Sequence, residues 1–272
     1  MPELNDIIQQ ALRARHKLLA IYLTCGYPTL EWTLPLARAA FEAGADLIEL
    51  GLPFSDPLAD GPTIQHASTI ALRNGFQMRH AFDTARTLGN FGPTLLMGYS
   101  NSVLARGAES FLNECRECRV KGLVIPDLPI DEEQAVWQRF KATGIPIIPF
   151  VSPTTSSGRA AIIDELNAPF IYAVSIAGVT GARHSLSRDV EEYLARMKAQ
   201  LQTPILVGFG VSSPETAAQL AAIADGVIVG SAVIQCIEQA ASLAEAVTKV
   251  SAFIKGIRAA IDQVSKQAVL SC

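Results

Sequence analysis

Nowhere in this sequence do Lys and Arg gather into a run, and no apolar stretch reaches the roughly 18 residues of a membrane span. The longest apolar segments, such as Asp225 to Ile237, are broken by Gly, Ser and Gln. The net charge is -4 and the sequence pI about 5.6. Nucleic-acid partners are disfavoured, because neutralising phosphates needs clustered cations. The first residues, Met1 to Arg15, carry acids early and lack an apolar core followed by small residues, so they do not read as a signal peptide. Cysteines are few, five in 272 residues, odd in number and scattered, which suits a reducing cytoplasm rather than a disulfide framework. Cys115 and Cys118 form a C-x-x-C, but within a helical pattern and with neither a second pair nor a nearby His, so they read as ordinary helix residues. The four histidines, at 16, 66, 80 and 184, form no ligand cluster, which disfavours a zinc-dependent aldolase. There is no G-x-S-x-G elbow.

What is present is a repeating unit: a short apolar run, then Gly or Pro, then an amphipathic helix. The expected strands are Leu18–Leu23, Asp46–Leu50, Thr94–Met97, Gly122–Ile125, Pro146–Val151, Phe170–Val174, Pro204–Val207 and Gly226–Val229. Between them fall helical patterns at Glu31–Glu42, Pro62–Arg73, Ala108–Arg119, Asp131–Ala142, Gly158–Leu166, Ser187–Gln200, Pro214–Ile223 and Ala232–Ala240. Strands that are almost wholly apolar and separated by single helices imply a parallel sheet covered on its outer face. Eight such units imply an α/β fold closed into one (β/α)8 TIM barrel, a single domain over residues 1–272. Extra helices are expected at the N-terminus (Leu4–Ala14), after the second unit (Gln77–Leu88) and at the C-terminus (Leu243–Val264). Two helix starts are marked: Ser213 precedes Pro214, and Ser187 precedes a first turn containing Asp189.

A parallel barrel builds its site at the C-terminal ends of its strands. No lysine falls at such a mouth, which disfavours Schiff-base chemistry. The last three mouths are glycine-rich: Gly178 to Arg183, Gly208-Phe209-Gly210 and Gly230-Ser231-Ala232. Glycines let backbone N–H groups and a helix N-terminus approach an anion closely, and Gly210, Gly230 and Ser231 stand where barrels recurrently bind phosphate. The alternative is that they only make tight turns. Glu49 interrupts an apolar strand and shares a face with Leu47, so its carboxyl enters the barrel interior, which demands a reason. The alternative is a structural acid paired with a polar neighbour. Asp60 lies in a Pro- and Gly-rich loop, as a site acid or as a cap for the helix from Pro62. Asp56 and Asp127 occupy the same belt and suit turns as well. The residues therefore point to a phosphate-holding barrel working with carboxyl groups, on a substrate that supplies its own electron sink.

The run Glu49-Leu50-Gly51-Leu52-Pro53-Phe54-Ser55-Asp56-Pro57-Leu58-Ala59-Asp60-Gly61-Pro62-Thr63-Ile64-Gln65 closely resembles the signature of tryptophan synthase alpha chains. Pro126-Asp127-Leu128-Pro129, Pro153 to Ser156 and the three glycine-rich mouths match in the same order, and the likeness runs from about Leu18 to Glu238. The resemblance implies retro-aldol cleavage of indole-3-glycerol phosphate to indole and glyceraldehyde 3-phosphate. It implies that Glu49 is the general acid/base and that Asp60 binds the indole N–H. It places Tyr172, Thr180 and Phe209 among the substrate-binding residues, and Gly181, Gly210, Gly230 and Ser231 around the phosphate. It implies no cofactor or metal in this chain. It also implies a pyridoxal-phosphate-dependent beta chain as partner in an alpha2beta2 heterotetramer; Asp56, which neighbours the catalytic loop without a chemical role of its own, is the candidate ionic contact. Two departures stand out: Gly26-Tyr27-Pro28 where the family usually has Gly-Asp-Pro, and Tyr99-Ser100-Asn101-Ser102 where it usually has Tyr-x-Asn-Pro.

Overall fold

The computed structural model describes residues 3–128, 130, 140, 143–174, 186–208 and 210–270, the side chains of 267–270 excepted. The expected helix Asp131–Ala142, apart from Phe140, and the mouth residues Thr180, Gly181 and Phe209 lie outside these. All strand pairings are parallel. The strands are β1 (Leu18–Thr24), β2 (Leu47–Gly51), β3 (Thr94–Met97), β4 (Gly122–Val124), β5 (Ile147–Ile148), β6 (Phe150–Val151), β7 (Ile171–Val174), β8 (Ile205–Gly208) and β9 (Gly226–Val229). Their order is β5-β4-β3-β2-β1-β9-β8-β7-β6.

The two ends of that list, β5 and β6, are consecutive in the chain and separated only by Pro149, so chain continuity completes the ring. The single fifth strand expected over Pro146–Val151 is therefore two short segments. Pro149 has no N–H to donate to a ladder; its carbonyl still accepts from the Tyr172 N–H at 2.9 Å. Outside the ring, the expected helices shift by a few residues at their ends, apart from two differences. The first outer helix begins as a 3-10 turn, Leu30–Trp32, before Thr33–Glu42, and a short helix, Ser100–Leu104, was not anticipated. Ser213 caps its helix by accepting from the Thr216 N–H, whereas Ser187 occupies a cap position without a side-chain bond.

Strand alternation sorts side chains into two cores. Leu18, Ala20, Tyr22, Leu47, Leu95, Met97, Val124, Ile148, Phe170, Tyr172, Leu206 and Ile228 fill the barrel, and Leu4 and Ile8 of the helix Leu4–Arg13 join them. Their strand neighbours Leu19, Ile21, Leu23, Ile48 and Leu50 face the helical layer. Glu49 alternates with Leu47 and so points inward. The C-terminal helix, Leu243–Leu270, packs on Pro214–Ile223 and Thr33–Glu42. Arg258 ties it to the barrel's underside, bonding to Asp46 at 3.0 Å and to the Lys17 carbonyl at 2.8 Å.

Tyr27, one of the departures, is buried in the outer core. Its loop is held by the Gly26 N–H donating to Thr33 Oγ1 at 2.8 Å and by Asn74 Nδ2 donating to the Gly26 and Pro28 carbonyls. Cys115 and Cys118 are buried free thiols, and burial raises both thiol pKa values, consistent with packing residues rather than reactive thiolates.

Candidate active site

Glu49 is 3% exposed, lies inside the upper barrel, and pairs in register with Tyr22 on β1 and Leu95 on β3. Burial, assisted by the charge of Asp60, pushes its carboxyl up to about 8. Asp60 reaches the same space from the loop between β2 and the helix Pro62–Arg73. Its carboxyl rises to about 6, mainly through burial, while a hydrogen bond from the Tyr99 hydroxyl holds it down. The structure thus places Asp60 deeper than a loop position suggests. The helix after it is capped by Gly61, with no side-chain cap bond, so Asp60 is not the capping residue. Both carboxyls are thus held above their ordinary values, Glu49 further than Asp60.

Three phenols surround this pair. Tyr99, buried at the foot of the loop, accepts the Ala59 N–H at 3.0 Å, and its ring stacks on Phe54 at 5.3 Å between centroids. Tyr172 packs on Phe150 at 4.9 Å and lies across Gly208, where an added Cβ would fall 2.2 Å from its ring. Tyr22 lies across Gly51 in the same manner. The charges of Glu49 and Asp60 reach both Tyr22 and Tyr172, whose pKa values are raised first by burial. Sequence reading placed Tyr99 at a strand mouth without a role and passed over Tyr22. The signal for Tyr22 was there, since it alternates with the inward-facing Leu18 and Ala20.

Across the mouth, Gly210 has a left-handed backbone at φ 79°, which a β-branched residue would strain. Gly230 is the N-cap of the helix Ser231–Glu238 and has no side chain to cover its N-terminus, while the Val233 N–H turns back to the Gly230 carbonyl at 2.9 Å. This end of the helix follows β9, beside the end of β8, as the glycine pattern implies. Asp127 does not join the acid pair. It receives the Ser100 N–H at 2.8 Å and the Ser100 hydroxyl at 2.7 Å, bracing the short helix Ser100–Leu104. Asp56 is exposed and accepts from Ser55 at 2.5 Å. Among the described residues, no group of His, Cys, Asp and Glu is arranged to hold a metal ion.

A parallel barrel with a buried carboxyl in its interior, a second on the neighbouring loop and a glycine-lined mouth defines a barrel enzyme built around a carboxyl pair. Comparison with known proteins narrows the class to a family. A model of the tryptophan synthase alpha chain family matches residues 8–262. The alpha chain of Christiangramia forsetii is 41% identical over 256 residues, covering 93% of this chain and 98% of its own. The Legionella pneumophila alpha chain structure superposes with a TM-score of 0.88 at 33% identity, covering 97% and 98% of the two chains. A Mycobacterium tuberculosis tryptophan synthase structure gives 0.86 at 34% identity, covering 95% and 97%. The chain belongs to the tryptophan synthase alpha chain family, and it is a lyase of tryptophan biosynthesis whose family reaction is cleavage of indole-3-glycerol phosphate.

Proposed function

We propose that Glu49 and Asp60 carry out this carbon–carbon cleavage by dividing proton transfer from charge stabilisation. The observation that carries the proposal is the placement of Glu49, buried on β2 inside the barrel, beside Asp60 on the following loop, with burial raising both carboxyls and Glu49 further. Neutral Glu49 protonates the indole ring at C3, making an iminium-like ring that serves as electron sink. Asp60 accepts the indole N–H and stabilises the positive charge as it forms. The Glu49 carboxylate then takes the proton of the adjacent chain hydroxyl. The carbon–carbon bond breaks, its electron pair returns to the ring, and the hydroxyl carbon becomes an aldehyde. Glu49 ends protonated as it began. The phosphate is held by backbone N–H groups at Gly210, Gly230 and Ser231, with Gly181 as a further member of that site. Tyr172, Thr180 and Phe209 flank the ring.

On this reading residues 1–272 form one cytoplasmic barrel domain and need no cofactor of their own. Indole passes to a pyridoxal-phosphate-dependent beta chain in an alpha2beta2 assembly. The loop Pro53–Asp60 suits that contact, because it presents Leu58 at 91% exposure beside the exposed Asp56. Asp56→Ala is expected to weaken beta-chain affinity; unchanged affinity and unchanged activation of turnover make Asp56 a turn former only.

Single-turnover cleavage tests the division of labour. Glu49→Gln preserves shape without a transferable proton and is expected to abolish turnover while ligand affinity survives. Asp60→Asn is expected to lose a few kcal/mol of transition-state stabilisation, about the effect of one electrostatic group. If Glu49→Gln retains more than about a tenth of the rate, a loss under roughly 1.4 kcal/mol, Glu49 is a structural acid.

A further inference from the structure

The mechanism above leaves unused a buried phenol that spans the site. Tyr22 is 5% exposed and stands in register opposite Glu49. Its ring lies over Gly51, where an added Cβ would fall 2.1 Å from the hydroxyl oxygen and 2.4 Å from Cζ. That space exists only because Gly51 has no side chain. At its other end, Tyr22 flanks the glycine-rich mouth: a Cβ on Gly230 would sit 3.4 Å from Tyr22 Cβ and 3.5 Å from Cδ1. Tyr22 therefore runs from the edge of the phosphate mouth to the carboxyl pair. Any molecule held by a phosphate at one end and by Asp60 at the other must lay its middle along this residue.

The hydroxyl is also oriented. Thr24, the next inward residue of β1, donates its own hydroxyl to Tyr22 Oη at 3.3 Å in a buried setting. With its oxygen already accepting, the phenol has its own O–H left to give. Among the described residues, no protein acceptor takes it. Burial, the charge of Asp60 and that of Glu49 all disfavour ionisation, although the Thr24 bond opposes them, so the phenol stays a neutral donor.

We infer that Tyr22 binds the substrate's glycerol chain, donating its phenolic O–H to a chain hydroxyl oxygen, and that Thr24 is a positioning residue that aims this donor. The inference rests on the proposed cleavage reading and extends it to the part of the substrate that neither the phosphate mouth nor the carboxyls hold. A hydroxyl-bearing chain entering a closed barrel needs a polar partner to replace water. Tyr22 supplies one without adding charge beside Glu49.

The test compares indole-3-glycerol phosphate with indole-3-propanol phosphate, which keeps the ring and phosphate but has no chain hydroxyls. The full chain is used, alone and with a beta chain. Tyr22→Phe keeps the ring against Gly51 and Gly230. It is expected to lower kcat/KM for cleavage about tenfold, the effect of one neutral hydrogen bond, with propanol-analogue affinity changed less than about twofold. Thr24→Val is expected to cost about threefold, and the double variant to be no worse than Tyr22→Phe alone, because Thr24 acts through the phenol. Additive losses in the double variant would show that Thr24 does not act through Tyr22. Unaltered kcat/KM in Tyr22→Phe, or equal weakening of substrate and analogue, overturns the grip while wild-type cleavage leaves the functional reading intact. Absence of cleavage by the wild type, with and without a beta chain, overturns both.

Discussion

Replacing Glu49 by Gln should change how the stability of this chain depends on pH, quite apart from its effect on turnover. In the folded chain Glu49 holds its proton up to about pH 8, against an ordinary value of 4.5. The folded state therefore binds this proton more tightly than the unfolded state, and stability falls as pH rises through that window, levelling above it. At about 1.4 kcal/mol for each pH unit, the loss across the window is on the order of 5 kcal/mol, an upper figure because the denatured chain and local hydration soften it. Gln has nearly the same size and no charge to desolvate. The variant should match or trail wild type at about pH 5, overtake it as pH rises, and hold a constant lead above about pH 8 to 9. Urea unfolding of both proteins at stepped pH measures the difference directly, since every other titrating group largely cancels. Because the charge of Asp60 is the second cause of the shift, Asp60→Asn should narrow the window from its upper end. Parallel stability curves for wild type and Glu49→Gln would refute the reasoning: the carboxyl would then be solvated or paired, and it could not serve as a neutral proton donor near pH 7.

Two further outcomes follow from the geometry. Tyr99→Phe removes the hydrogen bond that holds the Asp60 carboxyl down, so the acidic limb of the kcat/KM profile should move to higher pH; an unmoved limb would separate Asp60 from Tyr99. Gly208→Ala places a methyl group 2.2 Å from the Tyr172 ring, which rests on Phe150, and should cost about 1–3 kcal/mol in denaturant unfolding along with activity; a neutral result would mean that the ring has room to withdraw.

Much of this architecture was legible in the sequence because a parallel barrel writes itself locally. Strands covered on both faces must be apolar throughout, each is followed by one amphipathic helix, and so the strand mouths could be read off in order. The glycines at 210 and 230 and the odd carboxyl at 49 were visible for the same reason: each breaks a local pattern. Tertiary structure alone decided the rest, because it depends on residues brought together across the ring. Pro149 divides the fifth strand, a matter of which ladder position lacks its donor. Gly61 rather than Asp60 caps the following helix, which frees Asp60 to sink beside Glu49 and to take a bond from Tyr99, 39 positions away. Tyr22 fills the hollow over Gly51 because β1 and β2 pair in one particular register. Local periodicity shows which face a side chain occupies, whereas depth, electric field and the partner across the barrel come only from closing the sheet.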